Sequence, residues 1–348
     1  MKNHETNVVV GPLNGWRLLP STYSLRVMNK ALILYLIGLA LLISSCAYED
    51  PDPGPESFDF SHVKLALRYH EAPTSSLLAE VSATPAAAHL KRHSDRTGYY
   101  PANATTRTIT ENLLADHPSQ EKVNAVRTLI KYAENNPARQ QACMLEAAAY
   151  LPAVAQPINP IYITWGYDIG VAMDDRASLN FAHHHFLENR EEIWFYGIHE
   201  MHHSGVMQVH PMPKVGDIDT VQELYDFVRY ATFLEGLAVH SAREARRKSL
   251  ALGYDSDYLA LEDREVLDKI ESMYWRKLSF LKRETGVPLD ESHWQIVEEM
   301  SSGDRLWYIT GATMAAAIED YLGRQVLLEL IHRGPDAFFA AYKKLPTK

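Results

Sequence analysis

The chain has almost no cysteine: two in 348 residues, Cys46 and Cys143. Once Cys46 is committed elsewhere, a disulfide-stapled scaffold is excluded, and stability must come from the core that a chain of this length can bury in one large or two modest domains. Surplus positive charge is also missing. Thirty-four basic residues face 44 acidic ones, a formal net charge of −10. No basic stretch stands out, which excludes a nucleic-acid-binding face, because phosphate recognition needs clustered Lys and Arg. No internal repeat and no low-complexity tract is present, so solenoid and fibrous classes fall away. Finally, the apolar run Ala31 to Ile43 is too short to span a bilayer comfortably and has the length of a signal-peptide core.

What is present at that end is informative. Lys30 precedes the run, and Ile43-Ser44-Ser45-Cys46 follows it, a pattern that resembles a bacterial lipobox. Residues 1–45 are therefore expected to be a signal segment with Met28 as the true start, and Cys46 the lipidated residue; an uncleaved anchor is the alternative. Residues 46–58, rich in Pro and acid, read as a tether. Removing residues 1–45 leaves 30 basic and 43 acidic residues. Acyl chains rather than charge would then hold the protein to a membrane, at about 0.8 kcal/mol per buried methylene. The expected location is the bacterial cell envelope, on the periplasmic or cell-surface face.

Residues 59–348 form the folded part. From 59 to 155 the pattern is helical: Thr84 and Pro85 open one helix, Ser119 opens another, and Cys143 sits in a third as a core residue. From 156 the texture changes to Ile, Tyr, Val and Phe with Gly166 and Gly170 as interruptions, which reads as two or three strands. From Asn189 onward helices return. Helices, a small sheet, then helices with no regular alternation predict a predominantly helical α+β fold, with the sheet just before the helix that follows.

That helix carries "IHEMHH". His199 and His203, four apart, put two imidazoles on one helix face, where both reach one ion. Glu200 lies about a hundred degrees round, close enough to reach a water without being a ligand. In this HExxH arrangement the imidazoles hold Zn²⁺, the ion acidifies water, and the glutamate accepts its proton. Asn189 is expected to cap the helix and Gly205 to end it. Val206 and Val209 stand where the three-histidine extension would need Gly and His, so a third ligand must come from elsewhere. Glu235, among Phe233, Leu234, Leu237 and Val239 on a second helix, is a carboxylate that wants a partner, and Gly236 beside it allows close packing.

His199-Glu200-x-x-His203, Glu235-Gly236-x-Ala238 and "YITGATMAAAIE" resemble a family of bacterial zinc-dependent peptidases of gluzincin type, long catalogued as a domain of unknown function. The resemblance is strongest from Ile161 to Gly323. It implies a metallopeptidase domain over 59–348, with 156–348 binding zinc through His199, His203 and Glu235, Glu200 as general base, and a peptide or protein as substrate. One departure is clear: Val239 stands where many gluzincins place an acid that orients a ligand histidine.

Other residues have two readings. Tyr308 is the first candidate for an oxyanion donor, against a core tyrosine with a satisfied hydroxyl; His240 and His293 are weaker candidates. Arg305 reads as a carboxylate binder or a helix-end salt bridge. Asn180 to Phe186 is expected to be an edge strand that pairs substrate, with Asn180 in contact, and His183 and His185 on one solvated strand face. His202 is expected to face outward, and His210 to lie in a loop without a partner. A non-catalytic zinc-binding surface lipoprotein is the rival to the enzyme, and Glu200 discriminates, since a structural site has no use for an acid there.

Overall fold

The computed structural model describes residues 57–157 and 160–346; the expected signal segment, Cys46 and most of the expected tether lie outside the described residues. The described chain opens with a short strand, β1 (Phe58–Asp59), and six helices follow. These are α1 (Ser61–Glu71), α2 (Ser75–Ser82), α3 (Pro85–Thr97), α4 (Thr106–Leu114), α5 (Gln120–Glu134) and α6 (Pro137–Ala148). Local chemistry sets their ends. Thr84 Oγ1 accepts the Ala87 N–H at 3.1 Å, Pro85 takes the first turn, where a missing N–H is harmless, and Gly98 ends α3 at φ 79°. Ser119 caps α5 in the same way, and Val123, Val126, Leu129 and Ile130 form its buried stripe.

Three strands come next: β2 (Ile161–Thr164), β3 (Gly170–Met173) and β4 (Arg176–Asn180). The sheet order is β1-β2-β4-β3, with β1, β2 and β4 parallel and β3 antiparallel to β4. Asp174 and Asp175 make the tight turn between Met173 and Arg176, Asp174 at φ 56°. The remaining helices are α7 (His184–Glu188), α8 (Glu192–Val209), α9 (Val221–Lys248), α10 (Ser256–Ala260), α11 (Arg264–Arg283), α12 (Glu291–Ser301), α13 (Leu306–Leu322), α14 (Arg324–Arg333) and α15 (Pro335–Tyr342). The fold is α+β and predominantly helical, as expected. Helix α8 lies across β3 and β4, α3 packs on β2 and β3, and α9 contacts both α8 and α13. One core runs through both the helical N-terminal part and the later helices.

Two devices hold the central helices. At Gly236 and Gly311 the backbones of α9 and α13 meet so closely that a Cβ on either would collide with the other's main chain. At the far end of α9, Arg246 makes a two-pronged ion pair with Glu192 of α8, at 2.6 and 2.7 Å, both side chains buried. Its guanidinium also lies 4.2 Å from the Tyr258 ring centroid.

Several sequence expectations give way here. Residues 180–186 are not an edge strand. Asn180 ends β4, which β2 and β3 flank on both sides, and the tight turn hands the edge to β3. The Asn180 amide donates to Gly166 O at 2.9 Å and its oxygen accepts from Ala182 N–H at 3.1 Å, so the side chain shapes the chain turn. His183 precedes α7 and accepts from His185 N–H at 3.3 Å, so the histidine run is a helix start. Asn189 does not cap α8, which begins after Glu191 without a side-chain cap. Gly205 does not end it. The helix runs on to Val209, and Gly205 is needed because Ala155 O would lie 2.8 Å from a Cβ there. His202 faces inward and is fully buried, its Nε2 3.1 Å from Tyr150 O. His210 finds Ile331 O at 2.8 Å.

Candidate metal centre

Helix α8 presents His199 and His203 one turn apart, their ring centroids 4.5 Å apart and nearly perpendicular. Helix α9 crosses beside it and brings Glu235 to the same point. His203 Nε2 lies 3.0 Å and His199 Nε2 3.4 Å from Glu235 Oε2, and the three ligand atoms fall within 4.8 Å of one another. Zinc bonds of about 2.0–2.1 Å at the tetrahedral angle put neighbouring ligand atoms roughly 3.3 Å apart. The donor set therefore fits in type and spacing, with both Nε2 atoms turned inward.

Charge is arranged to match. Burial would raise Glu235, but the charge on His203 and hydrogen bonds from both imidazoles hold it well below the carboxylate range. Burial depresses His203, yet the Glu235 charge outweighs it and raises the ring above its ordinary value. Burial, helped by the neighbouring His203, brings His199 down to about 4, the neutral form a ligand needs. His203 Nδ1 is buried with no hydrogen-bond partner among the described residues, so no acid orients that ring.

Glu200 is not among the three clustered ligand atoms. A Cβ on Gly170 would stand 2.6 Å from Glu200 Oε1, so the carboxyl rests against the first residue of β3, and only glycine leaves room for it. It is buried, and burial lifts its pKa to about 8, with the charges of Glu235 and Asp168 adding and that of His203 opposing. Gly170 read in the sequence only as an interruption; its role depends on a helix thirty residues away.

Tyr308 opens α13, with the Arg305 guanidinium 3.5 Å from its ring centroid. Burial, and then the charge of Glu235, raise its hydroxyl above the ordinary range. The weaker candidates are engaged elsewhere: His240 pairs with Glu319 at 2.6 Å and His293 with Asp290 at 2.7 Å. A second group, His185, Glu192 and Asp255, also brings three ligand atoms together. Arg246 fills that place: it holds Glu192 with both prongs and lies 3.6 Å from Asp255, so the cation there is a guanidinium.

Residues 112–348 match the model of a family described as "Putative zinc dependent peptidase (DUF5700)". The chain belongs to this family. The matched segment contains α8, α9, α13 and the sheet apart from β1, and the family's description makes Zn²⁺ the metal and peptidase the class at family level. No curated protein and no solved structure matches the chain.

Proposed function

We propose that this protein is a zinc metallopeptidase that hydrolyses peptide bonds, with His199, His203 and Glu235 as ligands and Glu200 as general base. The observation that carries the proposal is the placement of Glu200. It adjoins a ligand histidine, stands outside the triad, and is held by contact with Gly170 in a buried position that raises its proton affinity. A purely structural metal site gains nothing from such a group. When bound, zinc supplies Lewis acidity and an acidified water. Glu200 takes the proton from the attacking water and returns it to the departing amine. Tyr308, at the start of α13, is the proposed donor to the oxyanion. The sheet edge beside Glu200 is β3, so an extended substrate would pair there, within the limit set by His89, whose ring nitrogen lies 3.2 Å from Val171 O.

Glu200→Gln keeps size and outline and deletes the base. Zinc content and melting temperature should stay at wild-type values while peptide hydrolysis falls by about 10² or more. His203→Ala should lose the ion instead. A Glu200→Gln protein as active as wild type would sink the mechanism, and tight zinc with no cleavage in either protein would favour a zinc-binding lipoprotein. We also propose that Cys46 carries the lipid that anchors the protein on the extracytoplasmic face of a bacterial membrane. Cys46→Ala should release it from membranes or leave an unprocessed precursor; unchanged detergent partitioning and mass would count against the anchor.

A further inference from the structure

Arg305 is the most unusual residue near the metal centre that the proposed mechanism does not use. Its backbone is left-handed, φ 47°, at the position just before α13, a conformation that glycine or asparagine adopts at far less cost. Strain of this kind persists where the side chain is required. That side chain is fixed twice. Nε donates to Asp257 Oδ2 at 2.7 Å, and the guanidinium carbon lies over the Tyr308 ring, 3.5 Å from its centroid. The two terminal nitrogens have no hydrogen-bond acceptor among the described residues, and neither is sealed from solvent without a partner. A guanidinium held by one edge with the other edge free is a preorganised fork.

The fork stands beside the metal centre. Arg305 and His199 line the same small cavity, together with Tyr196, Asp255 and Asp257. Its charge also reaches Asp168, two residues before Gly170. Helix α13, which it precedes, is locked to α9 at Gly311 and Gly236, next to Glu235. Arg305 is therefore positioned by the same contact that positions the third ligand. Two fixed acids lie against it: Asp257, which accepts from Nε, and Asp255, which lines the same cavity.

We propose that Arg305 binds a carboxylate of the substrate next to the scissile bond, through two parallel N–H bonds from its free edge. A carboxylate matches that edge in shape and charge, whereas a single oxyanion would use one N–H of the pair. The substrate class that follows is peptides with a free carboxylate beside the cleaved bond, the terminal carboxylate above all, so that the enzyme removes C-terminal residues. The proposal rests on the zinc peptidase reading and narrows it.

Binding tests it without relying on turnover. Zinc-loaded Glu200→Gln protein is titrated calorimetrically with two peptide libraries that differ only in a free or amidated C-terminus. A third library is amidated but carries Asp or Glu at each position in turn. The free-acid library should bind at least tenfold tighter than the amide. Arg305→Lys, which keeps the charge and loses the fork, should lose that tenfold for free acids and nothing for amides, with zinc content unchanged. Tight binding of the third library would keep the carboxylate assignment and move its source to an acidic side chain. Equal affinity for acid and amide, or binding of neither, overturns the proposal, and the Glu200→Gln chain with Arg305 intact gives this comparison even if Arg305→Lys fails to fold. Failure of the underlying reading looks different: Glu200→Gln would cleave as fast as wild type, or no zinc would bind.

Discussion

Gly236→Ala adds one methyl group in the middle of a long helix, and on propensity alone it should stabilise. Alanine is about 1 kcal/mol better than glycine in a helix interior. The structure predicts the opposite sign. The new Cβ would stand 2.7 Å from Ala312 N and closer still to the Gly311 main-chain carbons. Ordinary carbon–carbon separations are about 3.5–4.0 Å, and these atoms are backbone, which no rotamer change can move aside. Helices α9 and α13 must part by roughly 1 Å. Overpacking of this kind costs about 1–3 kcal/mol, and the wider gap also weakens the dispersion attraction along the interface. The net expectation is a loss of about 1–2 kcal/mol, or roughly 2–3 °C in melting temperature for a domain of this size. Glu235 is the preceding residue, and a shift of even half an ångström exceeds the roughly 0.2 Å tolerance of a zinc bond. Zinc affinity should therefore fall at least tenfold. Calorimetric melting and a zinc titration against a competing chelator measure the two effects. An unchanged or higher melting temperature with wild-type zinc affinity would refute the argument that this contact sets the third ligand. Gly311→Ala, whose Cβ would meet Gly236 Cα at 2.8 Å, should behave alike, and the double variant should lose less than the sum.

Gly170→Ala should push the Glu200 carboxyl off β3, reducing hydrolysis by about tenfold or more while zinc content stays at wild type; equal activity would mean the contact is not needed. Arg246→Leu leaves the buried Glu192 without its guanidinium, His185 being its remaining partner, and should cost about 3–5 kcal/mol in denaturant unfolding, whereas Arg246→Met with Glu192→Gln should recover much of it. Acid should unfold the protein through its buried histidines. Burial lowers His62 to about 4, and His89 and His202 to about 3, so from pH 6.5 downward the unfolded chain binds protons that the folded one refuses. Stability present above pH 6.5 is then lost as pH falls, at about 1.4 kcal/mol per pH unit for each histidine near pH 5. A melting temperature flat from pH 7 to 4.5 would contradict this.

The HExxH pair was legible because a four-residue spacing on a helix is a local fact, and so were the caps at Thr84 and Ser119, which need only neighbouring atoms. Glu235 was legible for a different reason, a carboxylate among apolar residues beside a small one. Gly236 and Gly311 were each readable as points of close approach, yet nothing in the sequence says that they approach each other. The strand order was out of reach for the same reason. Whether 180–186 or 170–173 forms the edge depends on the tight turn at Asp174 and on β2 lying parallel to β4, a pairing between segments with no shared local signal. His202 and His210 went wrong because their hydrogen-bond partners, Tyr150 O and Ile331 O, lie 52 and 121 residues away. Local spacing thus made the candidate metal site of this chain legible. The crossing of α8, α9 and α13, fixed by backbone contact and one buried ion pair, decided where its acid, its fork and its sheet edge stand.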